Sequence, residues 1–389
     1  MSERKVRYCA LTTIAMSMRQ FVMPSVTYMS NHGYDVTVGC ANDEEFVSSL
    51  PNDIKFLPLD IERGYNLRKT ISTIRLLYQY FKKNQIEMVE YGTENVSFCA
   101  AIAAWAAKVP IRIYNHWGAR YIGFQGVSRQ VSLFIERVAA LFSTHVRQQS
   151  MKNMEMCVQD RVYPAHKVSV IGFGGTVGAD FTKFDINKKD EYNEVTREKY
   201  SIPKEAIVFG DVGSIRKDKG TEELLEAFRN LVYDNAWLML VGDVYEEDAP
   251  NEELLQWARE SERVVFTGRV SDVERYVAAF DCMVHPSYRE GLGMVLQEAG
   301  AMAVPYITTD IPGPSEFGIN GKTGLLVEKG NAVDLQEKME YLLENPQELK
   351  SMSKEVFQLT AERYERNVMV KRIFEDRERL RRGGKDNAF

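Results

Sequence analysis

The chain has 389 residues, of which 44% are hydrophobic and 27% charged, and a formal net charge of -6. This composition is typical of a soluble globular protein, and the length favours two or three domains with well-buried cores. The five cysteines are scattered, odd in number and without a C-x-x-C pair, so neither a zinc site nor a disulfide framework is indicated. We therefore expect a protein of a reducing cytoplasm.

The first segment, "MSERKVRYCALTTIAMSM", has the basic and then apolar order of a signal peptide. Thr12, Thr13 and Ser17 interrupt the apolar run, and no convincing cleavage site follows, so we interpret it as a first strand. The longest apolar helix candidate, "VSFCAAIAAWAA" from Val96, is shorter than the roughly 20 residues that span a bilayer. No membrane-crossing segment is predicted.

Short β-rich runs then alternate with amphipathic helical segments along the whole chain. The first series is "KVRYCALTT", "DVTVGC", "IKFLPL", "IEMVEYG" and "VPIRIYN", and the second is "KEAIVFGDVGSI", "AWLMLVGD", "RVVFTGR", "FDCMVHPS" and "VPYITTD". Such alternation predicts an α/β protein with two doubly wound, Rossmann-like parallel sheets that face each other across a deep cleft.

The Gly-rich and then charged stretch between the two series, residues 171–205, is predicted to be the interdomain linker. We place the N-terminal domain at residues 1–175 and the C-terminal domain at residues 176–365. A final helix, about residues 366–389, is expected to pack back on the N-terminal domain.

The segment "HPSYREGLGMVLQEAGAMAVP" places two carboxylates at an informative spacing. It is predicted to run from a strand through a turn to a helix, in which Gly291 and Gly293 let backbone N–H groups approach an anion at the helix N-terminus. Glu290 and Glu298 would lie about 12 Å apart along the axis. A nucleotide sugar held by its diphosphate here would have its sugar near one carboxylate and its ribose near the other.

A family resemblance rests on this segment and its continuation. "HPSYREGLGMVLQEAGAMAVPYITTDIPGPSE", "NGKTGLLV" and "GSIRKDKGTEELLEAF" are similar to the signature of the retaining GT-B glycosyltransferases of family four, the glycosyl transferases group 1. Upstream, "TTIAMSMRQFVMPSVTYMSNHGYDV", "YNHWGARYIGFQG" and "VIGFGGTVGADFTKF" resemble the branch that extends lipid-linked glycans for capsule, exopolysaccharide or O-antigen. The resemblance covers nearly the whole chain.

The resemblance implies transfer of a sugar from a nucleotide diphosphate to a hydroxyl of a lipid-linked glycan, with retention of configuration. Uracil is expected as the base, with guanine as the alternative. Lys219 and the helix N-terminus would stabilise the charge of the leaving group. No D-x-D motif occurs at a metal position, so we expect no metal and no cofactor. The donor-binding set predicted in the C-terminal domain is Ser214, Arg216, Lys219, Glu290, Gly291, Leu292, Gly293, Met294 and Glu298.

One position departs from the family pattern. An Arg usually follows the Gly of the phosphate-binding loop, and this chain has Ser214 there, with Arg216 nearby. Either Arg216 substitutes for the missing charge or Lys219 carries more of it.

The N-terminal domain offers three further candidates. His116, expected in the loop after "VPIRIYN", is a catalytic candidate that would orient the donor sugar or the acceptor, although a histidine at a strand end is often only structural. Ser17 and Arg19 follow the first strand and are candidates for the donor phosphates, with helix capping as the alternative for Ser17. His32, His145, His166 and His285 are assigned to structure, with packing under the donor loop as the alternative for His285.

The charge is divided unevenly along the chain. Residues 1–175 carry 20 Lys plus Arg against 14 Asp plus Glu, and the remainder carries 29 against 41. The helical segment "NLRKTISTIRLLYQYFKK" combines cations with aromatic and aliphatic residues, which predicts peripheral contact with an anionic membrane, here the inner face of the cytoplasmic membrane. The membrane or acceptor side is assigned to Arg68, Lys69, Arg75 and Arg120. An acidic chain without a recognised module predicts no nucleic-acid partner.

Three other functions stay open at this point. A GT-B sugar-nucleotide epimerase would need acid and base groups on both sides of a sugar carbon, and a phosphorylase would need a pyridoxal-binding lysine in a longer chain. A non-catalytic sugar-nucleotide-binding protein would keep the anion site without turnover.

Overall fold

The computed structural model describes residues 4–61 and 66–384 and divides the chain into two compact units. Unit 1 comprises Met1–Val177 together with Asn367–Phe389, and unit 2 comprises Gly178–Arg366. The sequence placed these divisions after residues 175 and 365. The end of the predicted final helix, residues 385–389, lies outside the described residues.

Unit 1 contains a seven-stranded parallel sheet in the order β3-β2-β1-β4-β5-β6-β7. Its strands are β1 (Val6–Leu11), β2 (Tyr34–Ala41), β3 (Lys55–Leu59), β4 (Met88–Gly92), β5 (Ile111–His116), β6 (His145–Gln148) and β7 (Val168–Val170). Its helices before the division are α1 (Ala15–Phe21), α2 (Met23–Asn31), α3 (Glu44–Ser48), α4 (Leu67–Asn84), α5 (Glu94–Ala106), α6 (Gly126–Phe142) and α7 (Met151–Gln159). The first segment thus contains a strand, β1, as predicted.

Unit 2 contains a six-stranded parallel sheet in the order β10-β9-β8-β11-β12-β13. Its strands are β8 (Ile207–Val212), β9 (Ala236–Val241), β10 (Val264–Gly268), β11 (Cys282–His285), β12 (Tyr306–Thr309) and β13 (Gly324–Val327). Its helices are α8 (Lys189–Lys199), α9 (Thr221–Asn230), α10 (Glu252–Glu260), α11 (Val273–Ala278), α12 (Met294–Ala301), α13 (Pro314–Phe317), α14 (Ala332–Glu344) and α15 (Pro346–Tyr364). The last helix, α16 (Arg366–Arg381), lies in unit 1 after its first residue.

Both sheets are buried on two faces, which explains their nearly continuous apolar strands. In unit 2, every residue of β11 is buried, and the core contains Phe209, Leu240 and Ile307. Helices cover both faces, as the alternating pattern predicted, and the Rossmann-like α/β class is confirmed for each unit.

The predicted linker is wrong over most of its length. Unit 2 begins at Gly178, and the charged part of the stretch forms α8, which packs against α11. The Thr196 hydroxyl donates to the carbonyl of Arg275 at 3.1 Å, and Arg197 pairs with Asp281 at 2.7 Å. Charged residues therefore mark the solvent face of a docked helix here and not a free linker.

None of the helices within residues 4–61 and 66–384 is both long enough and apolar enough to cross a membrane.

Candidate functional site

The winding of the unit 2 sheet reverses between β8 and β11, which are parallel neighbours at its centre. Ligands of doubly wound sheets bind beyond the carboxyl ends of the strands at such a reversal. The loops that follow β8 and β11 touch there, because the Tyr288 N–H donates to the Asp218 carbonyl at 3.0 Å. Gly220 adopts φ +73°, and a Cβ at this position would lie 2.1 Å from the Pro286 carbonyl oxygen. Only glycine permits this close contact.

Lys219 and Glu290, both predicted from the sequence, meet at the junction of these loops. The Lys219 ammonium forms a short ion pair with Glu290 Oε1. His285 Nε2 lies 3.1 Å from the same oxygen, and His285 Nδ1 lies 3.0 Å from Asp211 Oδ1. Burial alone would raise the pKa of Glu290, but the Lys219 and His285 charges hold this pKa well below its usual range. Glu290 is therefore a carboxylate with a fixed orientation.

The helix α12 begins four residues after Glu290, at Met294. Gly293 precedes the helix with φ +91°, and as the N-cap residue it has no side chain to cap the helix. The Leu292 side chain is buried and anchors the turn between the two glycines. A helix N-terminus carries partial positive charge from its N–H groups, so this end of α12 is suited to an anion.

Glu298 lies on α12, one helical turn beyond its first residue. Within the described residues, no hydrogen bond or ion pair engages its half-buried carboxylate. Burial raises the pKa of Glu298 to about 7, against the weaker opposing effects of Lys183 and Arg366. In contrast to Glu290, this carboxylate keeps its full accepting capacity for a ligand.

The loop between β8 and α9 carries the remaining predicted donor residues. Ser214 is exposed, and the guanidinium of Arg216 lies 5.1 Å above the Tyr245 ring. Arg216 Nη2 donates to Asp218 Oδ2 at 2.6 Å, and Nε lies 3.3 Å from Asp248 Oδ2. Because two carboxylates balance its charge, Arg216 would have to exchange these partners to replace the missing family arginine.

His116 does not lie where the sequence placed it. It is the last residue of β5 and not a loop residue, and only 2% of it is exposed. Nε2 lies 3.3 Å from Glu136 Oε2, while Nδ1 faces the Tyr163 hydroxyl at 3.3 Å and Gln148 Nε2 at 3.2 Å. Burial lowers the pKa of His116, but the combined effects of Glu136 and Cys157 outweigh burial and raise the pKa to about 10. The prediction that His116 is an accessible loop residue is wrong, because polar side chains of unit 1 enclose its ring.

Ser17 and Arg19 both lie on α1, after the first strand as predicted. Ser17 does not cap the helix, whose N-cap residue is Ile14. Arg19 forms ion pairs with Asp43 at 3.5 Å and Glu45 at 3.3 Å. A role for Arg19 on a phosphate would compete with these two carboxylates.

The four basic residues assigned to the membrane or acceptor side are on the surface of unit 1. Arg68 and Arg75 are exposed on α4, while Lys69 pairs with Asp60 at 3.1 Å. Arg120 pairs with Glu94 at 2.9 Å. These residues are accessible, although two of the four charges are paired with acids.

The sequence analysis missed two residues of the site in unit 2. His285 was assigned to structure, and Asp211 was not singled out. The available signal was a lone acid near the carboxyl end of an otherwise apolar strand, "IVFGDV". In a central parallel strand, a buried carboxylate requires a partner, and the neighbouring strand β11 ends in the histidine that provides it.

Two doubly wound, parallel-sheet units in one chain are the fold of the GT-B glycosyltransferases. A solved structure with this fold, the Anabaena protein Alr3699/HepE in complex with UDP, superposes with a TM-score of 0.75 at 18% identity, covering 96% of this chain and 100% of the other. The model of the family "Glycosyl transferases group 1" matches residues 193–358, and that of "Glycosyl transferase 4-like" matches residues 11–150. The chain therefore belongs to the glycosyltransferases that these two models describe, and it is a glycosyltransferase.

Two relatives illustrate its position within the family. The capsular polysaccharide biosynthesis glycosyltransferase CapM of Staphylococcus aureus is 28% identical over 335 residues, which is 86% of each chain. The N,N'-diacetylbacillosaminyl-diphospho-undecaprenol alpha-1,3-N-acetylgalactosaminyltransferase of Campylobacter jejuni is 25% identical over 369 residues, covering 93% of this chain and 96% of the relative.

Proposed function

We propose that this enzyme transfers a hexosyl residue from a UDP-sugar to a hydroxyl of a growing, lipid-linked glycan, with retention of configuration and without a metal ion. The observation that carries the proposal is the difference between the two glutamates flanking the N-terminus of α12. Glu290 is held by Lys219 and His285, whereas no hydrogen bond or ion pair engages the Glu298 carboxylate in the part of the chain that the structure describes. The UDP complex of the Anabaena protein supports uracil as the base.

In this proposal, different groups bind the diphosphate, the sugar and the ribose of the donor. The diphosphate binds at residues 291–294 and draws Lys219, since both offer positive charge to the leaving group as the glycosidic bond breaks. Glu290 accepts hydroxyl hydrogens of the transferred sugar. Glu298 accepts those of the ribose, because an ionised carboxylate binds two hydroxyl groups well.

In this mechanism the departing phosphate oxygen takes the proton of the acceptor hydroxyl on the face from which the nucleotide leaves. The new bond forms on that same face, so the anomeric configuration is retained. The charge on the leaving diphosphate increases in the transition state, and Lys219 and the helix N-terminus therefore stabilise the transition state more than the bound donor.

The names of two relatives support the acceptor class. The Campylobacter enzyme is named for an acceptor on diphospho-undecaprenol, and the Staphylococcus relative for capsular polysaccharide biosynthesis. A lipid-linked acceptor requires the enzyme to work at a membrane, which we propose to be the inner face of the cytoplasmic membrane. Unit 1 supports this through exposed Arg68 and Arg75 on α4, beside the exposed apolar Ile71 and Leu76.

The test is turnover of UDP-sugars with undecaprenyl-diphosphate-linked saccharides in the presence of excess EDTA. We expect UDP release and an α-linked product from an α-linked donor, as read by the anomeric proton coupling. Lys219→Ala should reduce the rate by on the order of 100-fold or more. Arg216→Ala is the matched control, because a guanidinium balanced by two carboxylates should matter less.

An inverted product, a requirement for added divalent metal, or full activity in Lys219→Ala would each contradict the corresponding part of the proposal. A changed donor sugar in the absence of any acceptor would instead indicate an epimerase.

A further inference from the structure

His285 has a carboxylate oxygen at each of its two ring nitrogens. Nδ1 lies 3.0 Å from Asp211 Oδ1, and Nε2 lies 3.1 Å from Glu290 Oε1, while only 2% of the residue is exposed. A neutral imidazole carries a single N–H and can donate to only one of the two carboxylates. Both contacts are satisfied together when the ring is an imidazolium.

The charged groups around the ring come from three segments. Asp211 comes from β8, Glu290 from the loop after β11, and Lys219 reaches Glu290 from the loop before α9. The neighbouring strand β12 contributes a neutral group, the Thr308 hydroxyl, which donates to the His285 carbonyl at 2.8 Å. Asp218 also lies near Lys219, but it is paired with Arg216 and Arg289. Asp211 and Glu290 are therefore balanced by Lys219 and a charged His285 ring, which is the arrangement that allows charges to remain buried.

We propose that His285 and Asp211 are positioning residues that keep Glu290 ionised and aimed at the donor sugar. This inference rests on the proposed function, in which Lys219 turns from Glu290 to the diphosphate when the donor binds. Glu290 would then lose one of its cationic partners. The His285 imidazolium, held by Asp211, remains on the carboxylate and prevents its rotation or protonation during the reaction.

The protonation state is consistent with this role. Burial alone would lower the pKa of His285, but the hydrogen bonds to Asp211 and Glu290 outweigh burial and raise the pKa to about 9. The arrangement resembles the use of a buried carboxylate to orient a catalytic histidine, except that here the histidine stays charged and orients a second carboxylate.

The experiment combines ring protonation with rate profiles in Asp211→Asn, which keeps an acceptor for Nδ1 but removes its charge. In nitrogen-15 spectra at about pH 8, we expect both His285 nitrogens to carry protons in the wild type, with His285→Gln identifying the signals. In Asp211→Asn, the midpoint should move down towards the ordinary value of 6.5. The kcat should fall about tenfold or more at pH 8 and recover at about pH 6, while the donor KM changes less than threefold.

Thr308→Val is the matched control, because it removes a hydrogen bond to the same residue without touching the ring. It should leave the pH profile unchanged even where it lowers the melting temperature. A neutral His285 ring at pH 8 in the wild type, or a rate loss in Asp211→Asn that is the same at pH 6 and pH 8, would overturn the inference. Absence of transfer by the wild type would instead overturn the proposed function, since the ring signals are read without turnover.

Discussion

Glu290 and Glu298 are identical side chains in opposite surroundings. Glu290 is fixed by Lys219 and His285, and its pKa lies below the usual range. Glu298 is half-buried without a hydrogen-bond partner among the described residues, and its pKa is raised to about 7. A carboxylate left unsatisfied makes the free protein less stable than it could be, and it is available to a ligand.

Glu298→Gln and Glu290→Gln should therefore have separable effects on the donor. If Glu298 binds the ribose, Glu298→Gln weakens free UDP by about 1.5–3 kcal/mol, the contribution of a hydrogen bond to a charged group. Glu290→Gln should leave UDP affinity nearly unchanged and lower turnover, because its contact needs the sugar. Calorimetric titration of UDP beside initial rates measures both. Equal losses of UDP affinity in the two variants would show that they do not divide the donor in this way.

The same substitution at Glu298 should stabilise the free protein at high pH. A carboxyl with a pKa of 4.5 when unfolded and about 7 when folded binds more protons in the folded state between these values. Stability therefore falls as pH rises through that window and stays reduced above it. Glu298→Gln removes this loss, so we expect a gain of about 1–2 kcal/mol in unfolding free energy at pH 8 and none at pH 4.5. Urea titrations at both pH values provide the measurement, and an equal effect at both would contradict it.

Among the elements, α6 has a feature that the sequence analysis did not identify. Val127, Val131, Phe134 and Leu141 recur at helical spacing and are all exposed, with Phe134 61% and Leu141 66% exposed. The opposite face, with Leu133 and Ala139, is buried. By contrast, α4, which was predicted to be the interfacial helix, buries Leu77 and Phe81 in the core. Both α4 and α6 pack on α5, so they cover the same face of the unit 1 sheet.

We therefore expect α6 to contribute apolar contact with the membrane in addition to the charges of α4. The double variant Phe134→Ser, Leu141→Ser should reduce binding to anionic liposomes at least tenfold, since a fully buried apolar side chain contributes about 1.5–3 kcal/mol. Charge reversal at Arg68 and Arg75 should weaken binding mainly at low salt, because screening acts within about 8 Å at physiological salt.

The matched control for α6 is Val333→Ser, which removes an exposed apolar side chain from unit 2. Sedimentation with liposomes gives the bound fraction. Peripheral contact through unit 1 is refuted if the control loses as much binding as the α6 variant. It is also refuted if the wild type fails to bind liposomes at every salt concentration tested.

At the scale of the whole chain, the C-terminal helix α16 packs on unit 1, although the whole of unit 2 separates it in sequence from the rest of that unit. Arg377 of α16 binds Glu90 of β4 through Nη2 at 2.5 Å, and Asp376 binds Arg147 of β6 at 2.9 Å. These four groups are at least nine-tenths buried. Removing one partner of such a pair leaves an uncompensated buried charge.

Arg377→Ala should therefore destabilise unit 1 by about 3–5 kcal/mol. Arg381→Ala, which breaks an exposed pair with Glu378 on the same helix, should change stability by less than about 1 kcal/mol. A Trp237→Phe, Trp257→Phe background leaves tryptophan only in unit 1, so urea unfolding followed by fluorescence reports that unit. Similar midpoints for the two arginine variants would mean that the buried network does not hold α16 in place.

The sequence by itself determined the class of the protein and most of its strands. The ten strands that the sequence predicted are all present in the structure. A short apolar run between two helical patterns is typical of a buried strand. It missed β6, β7 and β13, which are short, and two of which, "HVRQ" and "VSV", carry polar residues. Lys219 and Glu290 could be found because glycines and a helix start mark their loops.

Only the tertiary structure decided which charged side chains are in contact with one another. Asp211 and His285 are 74 positions apart in the chain and meet because β8 and β11 are neighbours in the sheet. His116 ends another strand and has other partners, Glu136 and Tyr163. A sequence pattern reports the periodicity of one element. Burial and pairing depend on the side chains that other elements bring into contact, and these set the partners and the charge of each histidine.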